Sequence, residues 1–202
     1  MAIRFSTPPT GSDDAVRQGL SEIATTRSSG IRAEAVGGAI DPSSFTSPHQ
    51  VYFARLDELR DGKGVGSAHP QGWRYFVGSS GGRAAEVSAA SSSDSYTFMG
   101  LNTGQLNEQM QGLVQVLASD PRVEAQDFEC RLLQVNALNL AVLWLKAKTS
   151  GDDLFVPINS VDPGLQAGHI YETDEFNRLL TAAALKKRDL EPPAPANATT
   201  AR

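Results

Sequence analysis

Few side chains in this 202-residue chain stand where their type and spacing would support chemistry. Glu86 is the most conspicuous, a lone carboxylate inside the apolar run AAEV. In the preceding run GWRYFVG (72–78), Trp73 and Tyr75 share one side of a strand, in alternation with Arg74 and Phe76. The connection SSGG (79–82) has the length and composition that close a hairpin. Trp73, Tyr75 and Glu86 are therefore the candidate ligand or interface residues, two aromatic surfaces and one acid lining a pocket. The competing reading places the aromatics in the core and Glu86 toward water.

The remaining reactive groups have plainer explanations. Cys130 is the single cysteine, so no intramolecular disulfide forms and a reducing compartment is implied. It sits in an apolar strand pattern, where a thiol acts as a small buried hydrophobe. His49, His69 and His169 each fall in a loop or at a strand edge and read as solvated surface groups. No H-x-x-x-H or C-x-x-C spacing supports a metal, and no G-x-S-x-G elbow supports an activated serine. Gly62, Gly64 and Gly66 form a G-x-G-x-G run, but Pro70 follows too soon for the helix that a phosphate cradle needs. Asp13-Asp14 and Asp152-Asp153 lie in a leader and a turn, as solvated carboxylates do. No catalytic, cofactor-binding or metal-binding residue is assigned, no cofactor is implied, and a non-enzymatic role is expected.

Composition narrows the classes further. A formal net charge of −5 argues against a phosphate-binding surface, so no nucleic-acid partner is expected. The opening MAIRFSTPPTGS lacks the apolar core of a signal peptide. The longest apolar run, Leu138 to Leu145, is interrupted by Asn139 and is too short for a spanning helix. A cytoplasmic protein with no membrane partner follows from these features.

The elements that must position these residues fall between two loose ends. Residues 1–48 read as a flexible leader with a short helix from Ser12 or Asp13 to about Arg27 and a Gly/Ser-rich linker after it. Gly19 lowers that helix's propensity. A single domain, 49–188, opens with a strand at His49 and a meander of 72–78, 83–90 and 95–101. Asn102 is placed as the cap of a helix reaching 119, with Leu106, Met110, Leu113, Val114 and Leu117 on one stripe. Asp120-Pro121 ends it. The most apolar stretch, 128–158, supplies a hairpin turning at Asn136–Asn139 and a further strand near whose edge Pro157 must lie. Thr173 caps a last helix (174–188) carrying Phe176, Leu179 and Leu180, and Lys186, Lys187 and Arg188 complement its dipole. Residues 189–202 read as a disordered tail. The fold class is α+β, a mainly antiparallel sheet of meander plus C-terminal hairpin, covered by two helices in two layers.

The pairing of GWRYFVG and AAEV with RLLQVNALNLAVLWLK and DLFVPI, over roughly 49–158, resembles small uncharacterised bacterial proteins. Those motifs are structural, so the resemblance implies no activity, cofactor or site residue. A cytoplasmic interaction or assembly module, with a protein partner or self-association, is the expected function. The alternative is a small-molecule-binding domain or enzyme with its pocket near Trp73, Tyr75 and Glu86.

Overall fold

Runs of alternating or continuously apolar residues form nine strands among the described residues. The computed structural model describes residues 3–28, 40–78, 82–89, 96–149 and 151–189. In chain order these form β1 (Ile3–Arg4), α1 (Ser12–Ser28), β2 (Phe45–Phe53), α2 (Leu56–Arg60), β3 (His69–Val77), β4 (Arg83–Ala89) and β5 (Tyr96–Thr103). There follow α3 (Gln105–Leu117), α4 (Pro121–Glu124), β6 (Phe128–Val135), β7 (Leu140–Ala147), β8 (Leu154–Asn159), β9 (Tyr171–Glu172) and α5 (Thr173–Asp189). The sheet runs β5-β4-β3-β2-β6-β7-β8-β9, with β1 added to β6. It is antiparallel except where β1 and β2 pair parallel to successive parts of β6. Among the described residues no helix is long and apolar enough to cross a membrane.

The core is built on 128–158. β7 is buried along both faces from Leu140 to Leu145, as a central strand must be. Successive side chains of a strand point to opposite faces. Leu132, Leu143 and Val156 pack with Met110 and Leu117 of α3, while Leu133, Val142 and Phe155 pack with Phe176 and Leu180 of α5. α1 lies on the α5 side, where Val16 and Leu20 meet Tyr75, Val77, Ala85 and Val87. The expected mainly antiparallel sheet is present, and among the described residues five helices accompany it, with α3 on one face and α1 and α5 on the other. The physical reason is that β3, β6, β7 and β8 are apolar on both sides and each side needs a cover.

Several sequence expectations shift with the structure. The helix expected from Ser12 or Asp13 to about Arg27 is α1 (Ser12–Ser28), and it docks with Val16 and Leu20 buried, while Ile3 of β1 is buried beside β6. The 189–202 tail lies outside the described residues beyond Asp189. Asn102 is not a helix cap: it pairs with Ala84 in β5, and α3 starts after Gly104, which offers no side-chain cap. Asp120 both ends α3 and caps α4, accepting the Arg122 amide at 2.9 Å. At Asn136–Leu138 the β6–β7 connection is a 3₁₀ turn closed by Asn139 in the left-handed region (φ 49°), a conformation asparagine tolerates. Pro157 turns its backbone away from β7, its carbonyl accepting the Gly168 amide at 2.9 Å beyond the two β8 residues that pair with β9, so its missing N–H costs no ladder bond.

Gly19, which weakens α1 in isolation, is required by its docking. A Cβ at Gly19 would fall within the Phe98 ring of β5. Gly19→Ala, which favours an isolated helix, is therefore expected to destabilise this protein by about 1–3 kcal/mol, the usual cost of overpacking. Thermal melts check this, and Phe98→Ala in the same chain should remove most of the penalty. An unchanged or raised melting temperature for Gly19→Ala would show that α1 does not sit so close.

Candidate functional site

The meander brings lone charges together across adjacent strands. Antiparallel pairing places Glu86 of β4 opposite Arg74 of β3, and Arg74 opposite His49 of β2. Residues directly opposite share a face of the sheet. Glu86, Arg74 and His49 therefore form one row on the α3 side. Arg74 is 4% exposed and donates to Glu86, whose side chain remains 30% exposed. Gly100 stands opposite Glu86 on β5 and, lacking a side chain, leaves the acid open to solvent on that flank.

His49 anchors the buried end of the row. It is fully buried, with Phe76 at 5.1 Å and Phe5 at 6.1 Å between ring centroids. Its Nδ1 is 2.9 Å from the Ser47 carbonyl, which assigns the proton to Nδ1 and makes that nitrogen the donor. Ser47 adopts φ 56° next to Pro48, where the pairing of β2 with β3 slips. Burial pushes the His49 pKa down to about 4; the Ser47 bond opposes that shift and the Arg74 charge adds to it. His49 Nε2 and Arg74 Nε have no hydrogen-bond partner among the described residues. One is an acceptor in this tautomer and the other a donor, so the two unmet needs are complementary.

A trough of about 170 Å³ opens beside this row, lined by Trp73, Glu86, Gln71, Ser88, Met99 and Gln134 among others. Of the three sequence-nominated residues, Trp73 and Glu86 line it. Tyr75 does not. It is 1% exposed beneath α1, its hydroxyl shares a 2.7 Å hydrogen bond with Ser12 Oγ, and burial pushes its pKa upward. Alternation sets Trp73 and Tyr75 on the α1 face and Glu86 on the α3 face, and Trp73 packs against the Tyr75 cluster as well as bordering the trough.

His49 overturns one sequence expectation: it is a buried strand residue, not a solvated one. His69 is exposed, 3.4 Å from Glu58, and His169 rests on Tyr171. Arg74 went unnominated, although a signal was present. Tyr75 and Phe76 are adjacent and both large, so both faces of β3 need burial and Arg74 must share one of them. A hairpin closed at 79–82 also places Arg74 within one residue of facing Glu86.

Cys130 is fully buried, and burial pushes its thiol upward, away from the reactive thiolate. Among the described residues no cluster of His, Cys, Asp or Glu has the arrangement of a metal site. The charges elsewhere work structurally. Arg131 lies 5.1 Å from the ring centroids of both Tyr52 and Trp144, held by Glu129 at 2.8 Å. Asp153 accepts the Trp144 indole N–H at 2.9 Å.

The two ends of the sheet differ. β9 has two residues and lies beside α5, whereas β5 has eight, and among the described residues no strand pairs with its outer side. β5 (YTFMGLNT) contains no charge and no proline. It bulges at Met99, between the Val87–Phe98 and Glu86–Gly100 pairs, and Met99 is 63% exposed at the trough. The chain matches no family model, no curated protein and no solved structure.

Proposed function

We propose that this protein is a non-enzymatic interaction module of the cytoplasm that assembles through the outer edge of β5, which no strand pairs among the described residues. The observation carrying this reading is the eight-residue uncharged edge strand, in contrast to the two-residue edge at β9. Long edges without lysine, proline or inward charge are templates for another strand. The bulge at Met99 interrupts the edge but leaves extended backbone on both sides of it.

The occupant is a second copy of this chain, paired antiparallel about a two-fold axis. Such a contact uses the same surface twice and closes on itself. The absence of charge in β5 means that two copies of a chain with net charge −5 meet where like-charge repulsion is least. Sedimentation velocity over a wide concentration range should show a dimer, with slow amide exchange across 96–103. Met99→Lys should return the monomer without lowering the melting temperature. A wild-type monomer at every concentration overturns the reading, as does a dimer unaffected by Met99→Lys.

The small-molecule alternative is supported by Trp73 and Glu86 sharing the trough. Its 170 Å³ lies below the about 300–1,000 Å³ of ordinary small-molecule pockets, and Tyr75 lies outside it. The interaction reading is therefore preferred.

A further inference from the structure

A roomy concavity lies far from β5, where the C-terminal turn of α5 meets the 136–139 turn and the loop after β8. Leu138, Val161, Pro163 and Ala183 wall it, Lys186 and Lys187 border it, and it encloses about 430 Å³. That volume falls within the about 300–1,000 Å³ range in which small ligands are held. Its shape follows from the sequence. Ala183 contributes only a methyl group to its lining, and Asn139, in the left-handed region, closes the turn that borders it. Asp162 accepts the Gly164 amide at 2.8 Å and Lys186 at 3.3 Å, which ties the loop to the helix.

The charges around this cleft are unequal. Lys186 is balanced by Asp162, while Lys187 has no acidic partner among the described residues. Val161 is 75% exposed, so a branched apolar side chain stands open to water beside an unbalanced cation. Isolated exposed apolar residues are common, but this one belongs to a concave apolar wall.

We infer that the cleft binds a small amphiphilic carboxylate, with the apolar body against Leu138, Val161 and Pro163 and the carboxylate on Lys187. The apolar walls supply the affinity, since burying that surface releases water. The lysine supplies selection for an anion over a cation or a neutral alcohol. A bare inorganic anion gains nothing from the walls and meets a chain of net negative charge. The site is independent of β5, so its success or failure leaves the assembly reading untouched.

The test is titration of the full chain with decanoate, read by amide chemical shifts and calorimetry, with decanol and decyltrimethylammonium as controls. Saturable shifts are expected at 137–139, 161–163 and 183–187, with decanoate tighter than either control. Lys187→Glu should weaken decanoate at least about tenfold, the scale of losing one charge-assisted contact. Val161→Asp should do the same without lowering the melting temperature, because Val161 is already exposed. Equal binding of decanoate and decyltrimethylammonium overturns the proposal. So does unaltered affinity in both variants, absence of saturation, or ligand-free shifts of these residues with protein concentration, which would give the cleft to a second copy.

Discussion

Trp144→Ala is expected to lower the free energy of unfolding by about 3–5 kcal/mol, read from urea denaturation at neutral pH. Against the about 5–15 kcal/mol of a typical domain, that leaves a marginal fold. Trp144 is 8% exposed in the central strand, stacked on Phe155 at 5.7 Å and edge-on to Tyr52 at 5.0 Å. Phe155 continues the stack to Phe176 at 4.6 Å, so the ring links sheet to α5. Its removal leaves a void and strips Arg131 of one of its two aromatic surfaces. Asp153 stays partnered by Lys146 and the Ala147 amide, so loss of the indole N–H is the smaller part. Trp144→Phe separates the two effects: it refills most of the stack and should recover more than half of the loss. A loss under about 1 kcal/mol in Trp144→Ala would show that the stack does not join α5 to the sheet.

Stability should also fall by about 3 kcal/mol between pH 6.5 and pH 4, and His49 should be responsible. In the unfolded chain the imidazole titrates near its ordinary 6.5; in the fold burial holds it to about 4. Protonation in this interval therefore favours the unfolded chain. The stabilisation is complete above pH 6.5, declines as pH falls, and is gone below about 4. The groups facing the ring offer no relief. Arg74 is already a cation, Glu86 is engaged by Arg74, Phe5 and Phe76 are apolar, and the Ser47 carbonyl already holds Nδ1. Asp41, Asp57 and Asp120 are held below the usual 3.8 by their local hydrogen bonds, so their contributions fall in more acid solution. His49→Asn keeps a donor for the Ser47 carbonyl and removes the titration. Its urea midpoint should start lower at pH 7 and stay nearly flat to pH 4, where wild type falls toward it. Parallel declines in both proteins would acquit His49.

Much of the fold was legible because it rests on periodicity. The runs 128–135, 140–147 and 154–159 alternate or stay apolar along their length, and all three are strands. The stripe Leu106–Leu117 and the Phe176–Leu180 face are helices. α3 starts two residues later than its expected cap at Asn102 implies, because Asn102 satisfies a cap's chemistry while β4 claims its backbone. α1 read as too weak to hold alone, and by propensity it is; its stability comes from Phe98 fitting against a glycine. At the candidate site, Trp73 and Glu86 were legible as unusual residues on a hairpin. Alternation sets Glu86 on the face opposite Tyr75 and Trp73, whereas the burial of His49 does not follow from anything local.

The sequence by itself determined the strand and helix periods, the breaks at Pro121 and Asn139, the lone thiol and the absence of a catalytic motif. These are decided within a few residues by backbone sterics and side-chain polarity. Only the tertiary structure decided that β1 and β2 both run parallel to β6, that helices cover both faces, and that Glu86, Arg74 and His49 form one row. It also decided that, among the described residues, β5 ends the sheet with no strand on its outer side. Such pairings join residues tens of positions apart, and their energies come from burial and register, which no local pattern encodes.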